Sequence, residues 1–176
     1  MDNCVYIVSG IPGAGKTTVS RLLARRLGRG VHIESDLLQE WILSGGVWPQ
    51  EEPHEEAMRQ LGLRTRNCCL LADAYFDAGF VPVIDDVVIG ARLDDFLARL
   101  GSRPIRFVLL TPSVDVVEHR DATRPSKHVF SIWGHLDANM RSETRRVGLW
   151  LDTSAMSAEQ TVEAILARRD EALLPD

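Results

Sequence analysis

Gly10-Ile11-Pro12-Gly13-Ala14-Gly15-Lys16-Thr17 decides the reading of this chain. The stretch matches G-x-x-x-x-G-K-[ST], a loop whose backbone N–H groups cradle a polyphosphate. Val5-Tyr6-Ile7-Val8 precedes it, a short apolar run with the character of a buried strand. Val19, Leu22, Leu23 and Leu27 follow at helical spacing, and Gly28 stands where a C-cap is expected. Glycines let the backbone curl so that successive N–H groups point inward, and the helix beyond adds its positive N-terminal end. Gly10, Pro12, Gly13, Ala14 and Gly15 are therefore candidate nucleotide contacts, with Thr18 in the first helical turn beside them. Lys16 is placed to reach the β- and γ-phosphates, and the Thr17 hydroxyl is a candidate Mg²⁺ ligand. The alternative is a glycine turn that merely joins a strand to a helix.

Outward from this loop, strand and helix patterns alternate. Val31–Ile33, Val81–Ile84, Arg106–Leu110 and Val147–Leu151 have strand character, and helical patterns lie between them. That alternation argues for a parallel sheet covered by helices on both faces. Pro53 followed by His54, Glu55 and Glu56 reads as a helix start, and the helix is expected to run to Gly79. Ser157-Ala158-Glu159-Gln160 is a capping box, with Val162, Ile165 and Leu166 as the buried stripe of the last helix. Ser44-Gly45-Gly46-Val47-Trp48-Pro49 is a loop whose Trp48 either covers the core edge or faces a ligand.

With 176 residues the chain suffices for one good core and not for two ordinary domains. Its 45% hydrophobic and 26% charged residues are those of a soluble globular protein. No apolar run approaches the length of a membrane span, and the N-terminus has no secretory pattern, so a cytoplasmic protein is expected. A net charge of −5 and few aromatics argue against a nucleic-acid strand or an anionic membrane as partner. Cys4, Cys68 and Cys69 have no metal-ligand spacing. Cys68 falls in a seam with Met58, Leu61, Thr65, Ala72 and Tyr75, which makes it a core residue.

Acidic residues close two of the expected strands. Asp85-Asp86 directly follows Val81-Pro82-Val83-Ile84, the pattern in which one carboxylate holds Mg²⁺ directly or through water. Neighbouring side chains leave a strand on opposite faces, so one of the pair is expected at the metal, and either qualifies. Asp36 follows the second strand in His32-Ile33-Glu34-Ser35-Asp36, where it or Ser35 also suits a helix N-cap. Glu118-His119-Arg120-Asp121-Ala122-Thr123-Arg124-Pro125 is charge-rich and follows the fourth strand and a short helix. Arg64 and Arg66, and Arg141, Arg145 and Arg146, suit either surface ion pairs or an anionic ligand.

No guanine-specificity N-K-x-D motif is present. The Gly10–Thr17 loop, Asp36, Asp85-Asp86 and the Arg120/Arg124 pair, in this order over essentially the whole chain, resemble the small P-loop kinases. These include nucleoside monophosphate, gluconate and shikimate kinases, chloramphenicol phosphotransferase and the 5′-kinase domain of polynucleotide kinase. The resemblance implies a three-layer α/β/α P-loop NTPase fold, with a five-stranded parallel sheet ordered 2-3-1-4-5. It implies a single kinase domain over residues 1–176 with a small lid at about 120–135. It implies ATP and Mg²⁺, with transfer of the γ-phosphoryl group to a hydroxyl of a small molecule such as a metabolite or antibiotic. Asp36 is then the group that orients or deprotonates the acceptor, and Lys16, Arg120 and Arg124 offset charge on the transferring phosphoryl group. Asp152, Thr153 and Ser154, after the last strand, lie where such kinases pass the adenine. A polynucleotide 5′-hydroxyl kinase and a nucleotide-binding switch or ATPase without an acceptor are the alternatives.

Overall fold

The computed structural model describes residues 3–122 and 136–175. Strand β1 (Val5–Ser9) is buried along its whole length. A strand inside a parallel sheet has helices over both faces, so both faces must be apolar, which explains a continuous rather than alternating hydrophobic run. The phosphate loop leads from β1 into α1 (Lys16–Arg26), and β2 (Gly30–Glu34) and α2 (Ser35–Glu40) follow. The long α3 (His54–Asp77) delivers the chain to β3 (Val81–Asp85), then α4 (Ala91–Arg99), β4 (Ile105–Leu110) and α5 (Val114–Ala122). Beyond residue 135 come α6 (Leu136–Glu143), β5 (Leu149–Leu151) and α7 (Ala158–Ala167). The lid expected at about 120–135, with Arg124, lies outside the described residues from position 123 onward.

The five strands form one parallel sheet in the order β2-β3-β1-β4-β5, as the resemblance implied. Tyr6 pairs with Val83 on one side of β1 and with Arg106 on the other. Helix α1 packs on β2, β3 and α7, while α3 packs on β2, β3, α2 and α4. The core runs through the sheet, with Ile7, Ile84, Phe107 and Leu109 fully buried, and Leu23, Phe96 and Ile165 reaching in from the helices. Strand order reverses beside β1, and in such sheets ligands gather at the carboxyl ends of the strands there. No helix among the described residues is long and apolar enough to cross a membrane.

Local departures from expectation have visible causes. Helix α1 ends on an extended Leu27 rather than on Gly28. The glycine that matters is Gly30, where a Cβ would stand 1.9 Å from the Ala24 carbonyl oxygen. The chain turns back against the last turn of α1 so closely that only glycine fits. Helix α3 buries a face rotated from the expected seam: Cys68 and Ala72 are inside, but so are Gln60 and Arg64, while Met58 and Tyr75 are exposed. The α7 capping box forms as expected, with Gln160 N–H donating to Ser157 Oγ at 3.1 Å and Ser157 N–H to Gln160 Oε1 at 2.8 Å.

Candidate functional site

The loop after β1 is held by its own backbone and by one side chain. Ala14 N–H donates to the Ile11 carbonyl at 3.0 Å, and Lys16 Nζ donates to the same oxygen at 3.2 Å. Gly13 has φ +88°, and a Cβ there would lie 2.7 Å from Val117 Cγ1 of α5. Both backbone conformation and space therefore require glycine, and the close packing leaves the curve of N–H groups that a polyphosphate needs. Lys16 is half-buried rather than projecting freely, while Thr18 is exposed at the first turn of α1. Ser9, at the end of β1, accepts from Val88 N–H at 2.9 Å and donates to its carbonyl at 2.8 Å. This pair of hydrogen bonds ties the segment after β3 to the start of the loop.

A cleft of about 120 Å³ opens at the loop, lined by Lys16, Thr17, Ser35, Asp36, Asp85 and Asp86 among others. The structure thus brings together the loop residues and the three carboxylates singled out from the sequence. The two adjacent aspartates have different surroundings. Asp85 Oδ2 pairs with His32 Nε2 of β2 at 2.6 Å. Asp86 accepts from Arg64 Nη2 at 3.0 Å, Arg92 Nη2 at 2.7 Å and Val87 N–H at 2.8 Å. Burial alone would raise the Asp86 pKa. The Arg92 and Arg64 guanidinium groups, the Val87 N–H and the Ser35 hydroxyl outweigh it and hold the value at about 2. With both oxygens accepting, Asp86 is poorly suited to a metal. Asp85, held through one oxygen, suits it better, and Thr17 lines the same cleft. A hydroxyl and a carboxylate at the mouth of a phosphate loop are the hard oxygen donors that Mg²⁺ takes alongside phosphates and water.

Asp36 is not a helix cap. The N-cap of α2 is Glu34, without a side-chain bond, and Asp36 stands in the first turn with its side chain 54% exposed. Arg64 reaches it from α3, Nη1 donating to Asp36 Oδ1 at 3.1 Å. Asp36, Arg64, Asp86 and Arg92 therefore form one chain of ion pairs through the floor of the site. Arg92 is further fixed on the Val87 carbonyl at 2.8 Å and Thr65 Oγ1 at 3.2 Å.

Beyond Asp36 lies a second cavity, of about 840 Å³. Trp48, Pro49, Met58, Leu61, Ile89 and Leu136 make its apolar wall, and Glu40, Glu51, His54, Arg64 and Arg92 supply charged or polar groups. Trp48 thus lines the cavity. Its loop is pinned by Gln60, whose Oε1 accepts from Val47 N–H at 2.8 Å and from Gln39 Nε2 at 2.9 Å. Gln60 Nε2 donates to the Gly45 carbonyl at 2.7 Å. Pro12, Asp36 and Val87 line both spaces, so the cleft and the cavity adjoin across Asp36.

Other candidates stand apart from these spaces. Arg120 Nη2, from α5, donates to the Thr153 carbonyl at 3.1 Å. Asp152 Oδ1 accepts from Ser154 N–H at 2.9 Å, and Ser154 Oγ accepts from Ser113 N–H at 2.8 Å. Arg120, Asp152 and Thr153 thus form a separate corner between α5 and the turn after β5, outside the lining of both spaces. Arg141 and Arg145 pair with Asp137 and Asp94, each at 2.8 Å, and Arg146 stacks 3.9 Å over Trp150. Those three arginines take the surface reading.

A family model described as an AAA domain matches residues 7–125, more than half of the chain. A UPF0200 protein of Aeropyrum pernix is 35% identical over 60 residues, a stretch covering 34% of this chain and 32% of that protein's length. A sugar kinase from a Janibacter species superposes with TM-score 0.66 at 21% identity, over 96% of this chain and 95% of its own. The tunicamycin resistance protein of Deinococcus radiodurans gives 0.67 at 21% identity, over 98% of both chains. The shikimate kinase of Aquifex aeolicus gives 0.64 at 18% identity, over 94% of this chain and 96% of its own. At these identities the likeness is one of fold, and the fold is that of small P-loop kinases.

Proposed function

The chain belongs to the AAA domain family, and on that premise we propose that it is an ATP-dependent kinase that phosphorylates a hydroxyl of a small molecule. The observation that carries this reading is the position of Asp36, which lines both the phosphate-loop cleft and the adjoining cavity of about 840 Å³. A nucleotide switch or plain ATPase has no use for a large, mostly apolar cavity adjoining the phosphate-loop cleft. A small-molecule kinase requires one. The sugar kinase and the shikimate kinase among the structural neighbours support the same reading, as do the carboxylates of Glu40 and Glu51 in the cavity lining, which oppose a polynucleotide backbone.

In this reading the backbone of residues 10–15 and Lys16 hold the triphosphate, with Thr18 beside them at the helix start. Thr17 and Asp85 would hold Mg²⁺, which supplies charge neutralisation on the phosphate oxygens when bound. Asp36 accepts a hydrogen bond from the acceptor hydroxyl, and Arg64 fixes the direction of that carboxylate. The acceptor oxygen then bonds to the γ-phosphorus as the bond to the ADP oxygen breaks, and the hydroxyl proton passes to Asp36 or to solvent. Residues 1–176 act as one kinase domain. Arg120 and Arg124, from a lid at about 120–135, offset the developing negative charge, and Asp152 and Thr153 lie along the base of the nucleotide. Closure of that lid excludes water, the competing acceptor.

The test is incubation with ATP, Mg²⁺ and a library of hydroxyl compounds. The expected result is slow hydrolysis alone, and an acceptor that speeds ADP release and gains one phosphate by mass. Brisk ATP hydrolysis that no acceptor alters would instead establish an ATPase or switch.

A further inference from the structure

The two aspartates that close β3 are held by different chemistry, and the difference gives a role to a residue outside the cleft. Asp86 accepts from two guanidinium groups and a backbone N–H, so both of its oxygens are covered. Asp85 has one side-chain hydrogen-bond partner among the described residues, the imidazole of His32, whose Nε2 lies 2.6 Å from Asp85 Oδ2. An ionised carboxylate only accepts, so Nε2 carries the hydrogen and donates it. A single ring N–H covers one oxygen and leaves Oδ1 to another partner. Asp85 lines the phosphate-loop cleft beside Thr17, while His32 is outside the described lining. The pair is nearly enclosed, the two side chains being 13% and 5% exposed. Strand β2 brings His32 to this place: Glu34 registers with Asp85, and His32 lies two residues back on the same face of the sheet. Glu34 is itself paired with Arg21 of α1 at 3.3 Å, so the neighbouring carboxylates have separate partners.

We infer that His32 is a positioning residue for the metal: its N–H holds the Asp85 carboxylate in one orientation and keeps Oδ1 available to Mg²⁺, which rests on the reading that Asp85 is a metal ligand. A carboxylate that is already oriented loses less side-chain freedom when it binds a cation. Hydrogen bonds from outside the coordination sphere set the direction of a ligand in this way, and their loss weakens metal binding although the ligand itself remains. The choice of histidine fits the task. A guanidinium here could cover both oxygens, as the two at Asp86 do, and would compete with the metal for the carboxylate. The contrasting role is a polar tie between the edge strand β2 and β3, which would affect stability and leave metal affinity alone.

The test uses the full chain with a non-hydrolysable ATP analogue and Mn²⁺, whose free-ion electron paramagnetic resonance signal gives the metal affinity of the complex. His32→Leu removes the donor, His32→Asn withdraws it from reach, and His32→Gln returns an N–H to about the place of Nε2. The leucine and asparagine variants are each expected to weaken Mn²⁺ binding roughly tenfold. Affinity for the analogue in EDTA is expected to change less than about twofold, and His32→Gln to keep Mn²⁺ binding within about threefold of the unaltered chain. Leucine and asparagine differ in polarity at this nearly enclosed position, so failure of one to fold leaves the other to carry the comparison. In an Asp85→Asn background His32→Leu is expected to have no further effect on Mn²⁺ binding, because His32 acts only through that carboxylate. Unchanged Mn²⁺ affinity in both the leucine and asparagine variants, where Asp85→Asn alone lowers it, overturns the positioning role and leaves Asp85 as the metal ligand. A glutamine variant as weak as the leucine one overturns it too. Mn²⁺ affinity untouched by Asp85→Asn overturns the metal assignment and the role of His32 together, while leaving the kinase reading to the acceptor screen.

Discussion

Asp86 has the most consequential surroundings of any single residue. Its carboxylate is 1% exposed and shared between two guanidinium groups, which is tolerable only while it is ionised. Its pKa of about 2 lies below the ordinary 3.8, so its contribution to stability is complete above about pH 4 and disappears as pH falls through about 2. The contribution is roughly 2 kcal/mol. Acid titration followed by circular dichroism should show this loss between those limits, and Asp86→Asn should abolish that part of the pH dependence. The same substitution leaves Arg64 and Arg92 short of a counter-charge and should cost about 3–5 kcal/mol in denaturant unfolding. Asp36→Asn is a different case, because it is half exposed and an amide oxygen still accepts from Arg64. It should leave the unfolding midpoint nearly unchanged and lower kcat by roughly 10²–10⁴, the usual contribution of a positioned base. Normal turnover of that variant with its true acceptor would remove Asp36 from the chemistry.

Helix α3 shows what a sequence pattern conveys about an element and what it hides. Its start after Pro53, its acidic first turn and its end before Gly79 were all legible from residue type. The buried face was not, because Gln60 and Arg64 score as surface residues in any hydrophobic count. They are inside because each is held by several bonds: Gln60 with the loop at 45–47 and Gln39, Arg64 with two aspartates. Their spacing was the available signal, since 57, 60, 64, 68 and 72 follow one helical face. The loop that Gln60 pins carries Trp48, Pro49 and Glu51 into the cavity wall. Gln60→Leu keeps the volume but leaves Val47 N–H and the Gly45 carbonyl without their partner. It should cost about 1–3 kcal/mol. In steady-state kinetics it should raise the acceptor KM at least severalfold with less effect on the KM for ATP. An equal rise in both would indicate general loosening instead.

Across the whole molecule, the alternation of strands with helices was enough to anticipate a parallel sheet covered on both faces, and its strand order came from the resemblance to small P-loop kinases. The order β2-β3-β1-β4-β5 matches what the resemblance implied, and it puts the phosphate loop at the carboxyl end of β1, flanked on both sides. The larger cavity was not anticipated, since it is assembled from α2, α3, the loop at 44–53 and the turn after β3, which no local pattern connects. The nucleotide and the fold should be thermodynamically coupled. At a hundredfold excess over Kd, ATP with Mg²⁺ adds about 2.7 kcal/mol, raising Tm by roughly 5–10 °C for a domain of this size. Lys16→Ala should abolish that shift while lowering the Tm of the protein alone only slightly, since the side chain makes a half-buried bond to Ile11. Cys68 and Cys69 provide an independent gauge of global opening. Burial and then the nearby Asp86 push the Cys68 thiol up, and burial and then Asp73 push Cys69 up to about 12. Both should react with thiol reagents only at the rate of unfolding.

The Asp36–Arg64–Asp86–Arg92 chain also constrains how this protein can diverge. A single mutation that redirects Arg64 toward a new acceptor would at once strand Asp86 behind it and unsettle the turn that follows β3. Changes at these four positions are thus mutually dependent: a substitution is tolerable only when a second arrives with it, and most one-step routes pass through an unstable intermediate. The loop at 44–53 is tied less tightly to that chain, because Gln60 grips its backbone rather than its side chains. If the cavity takes the acceptor as proposed, new substrates should be acquired by drift at Trp48, Pro49 and Glu51, over a floor of ion pairs held constant by its own epistasis.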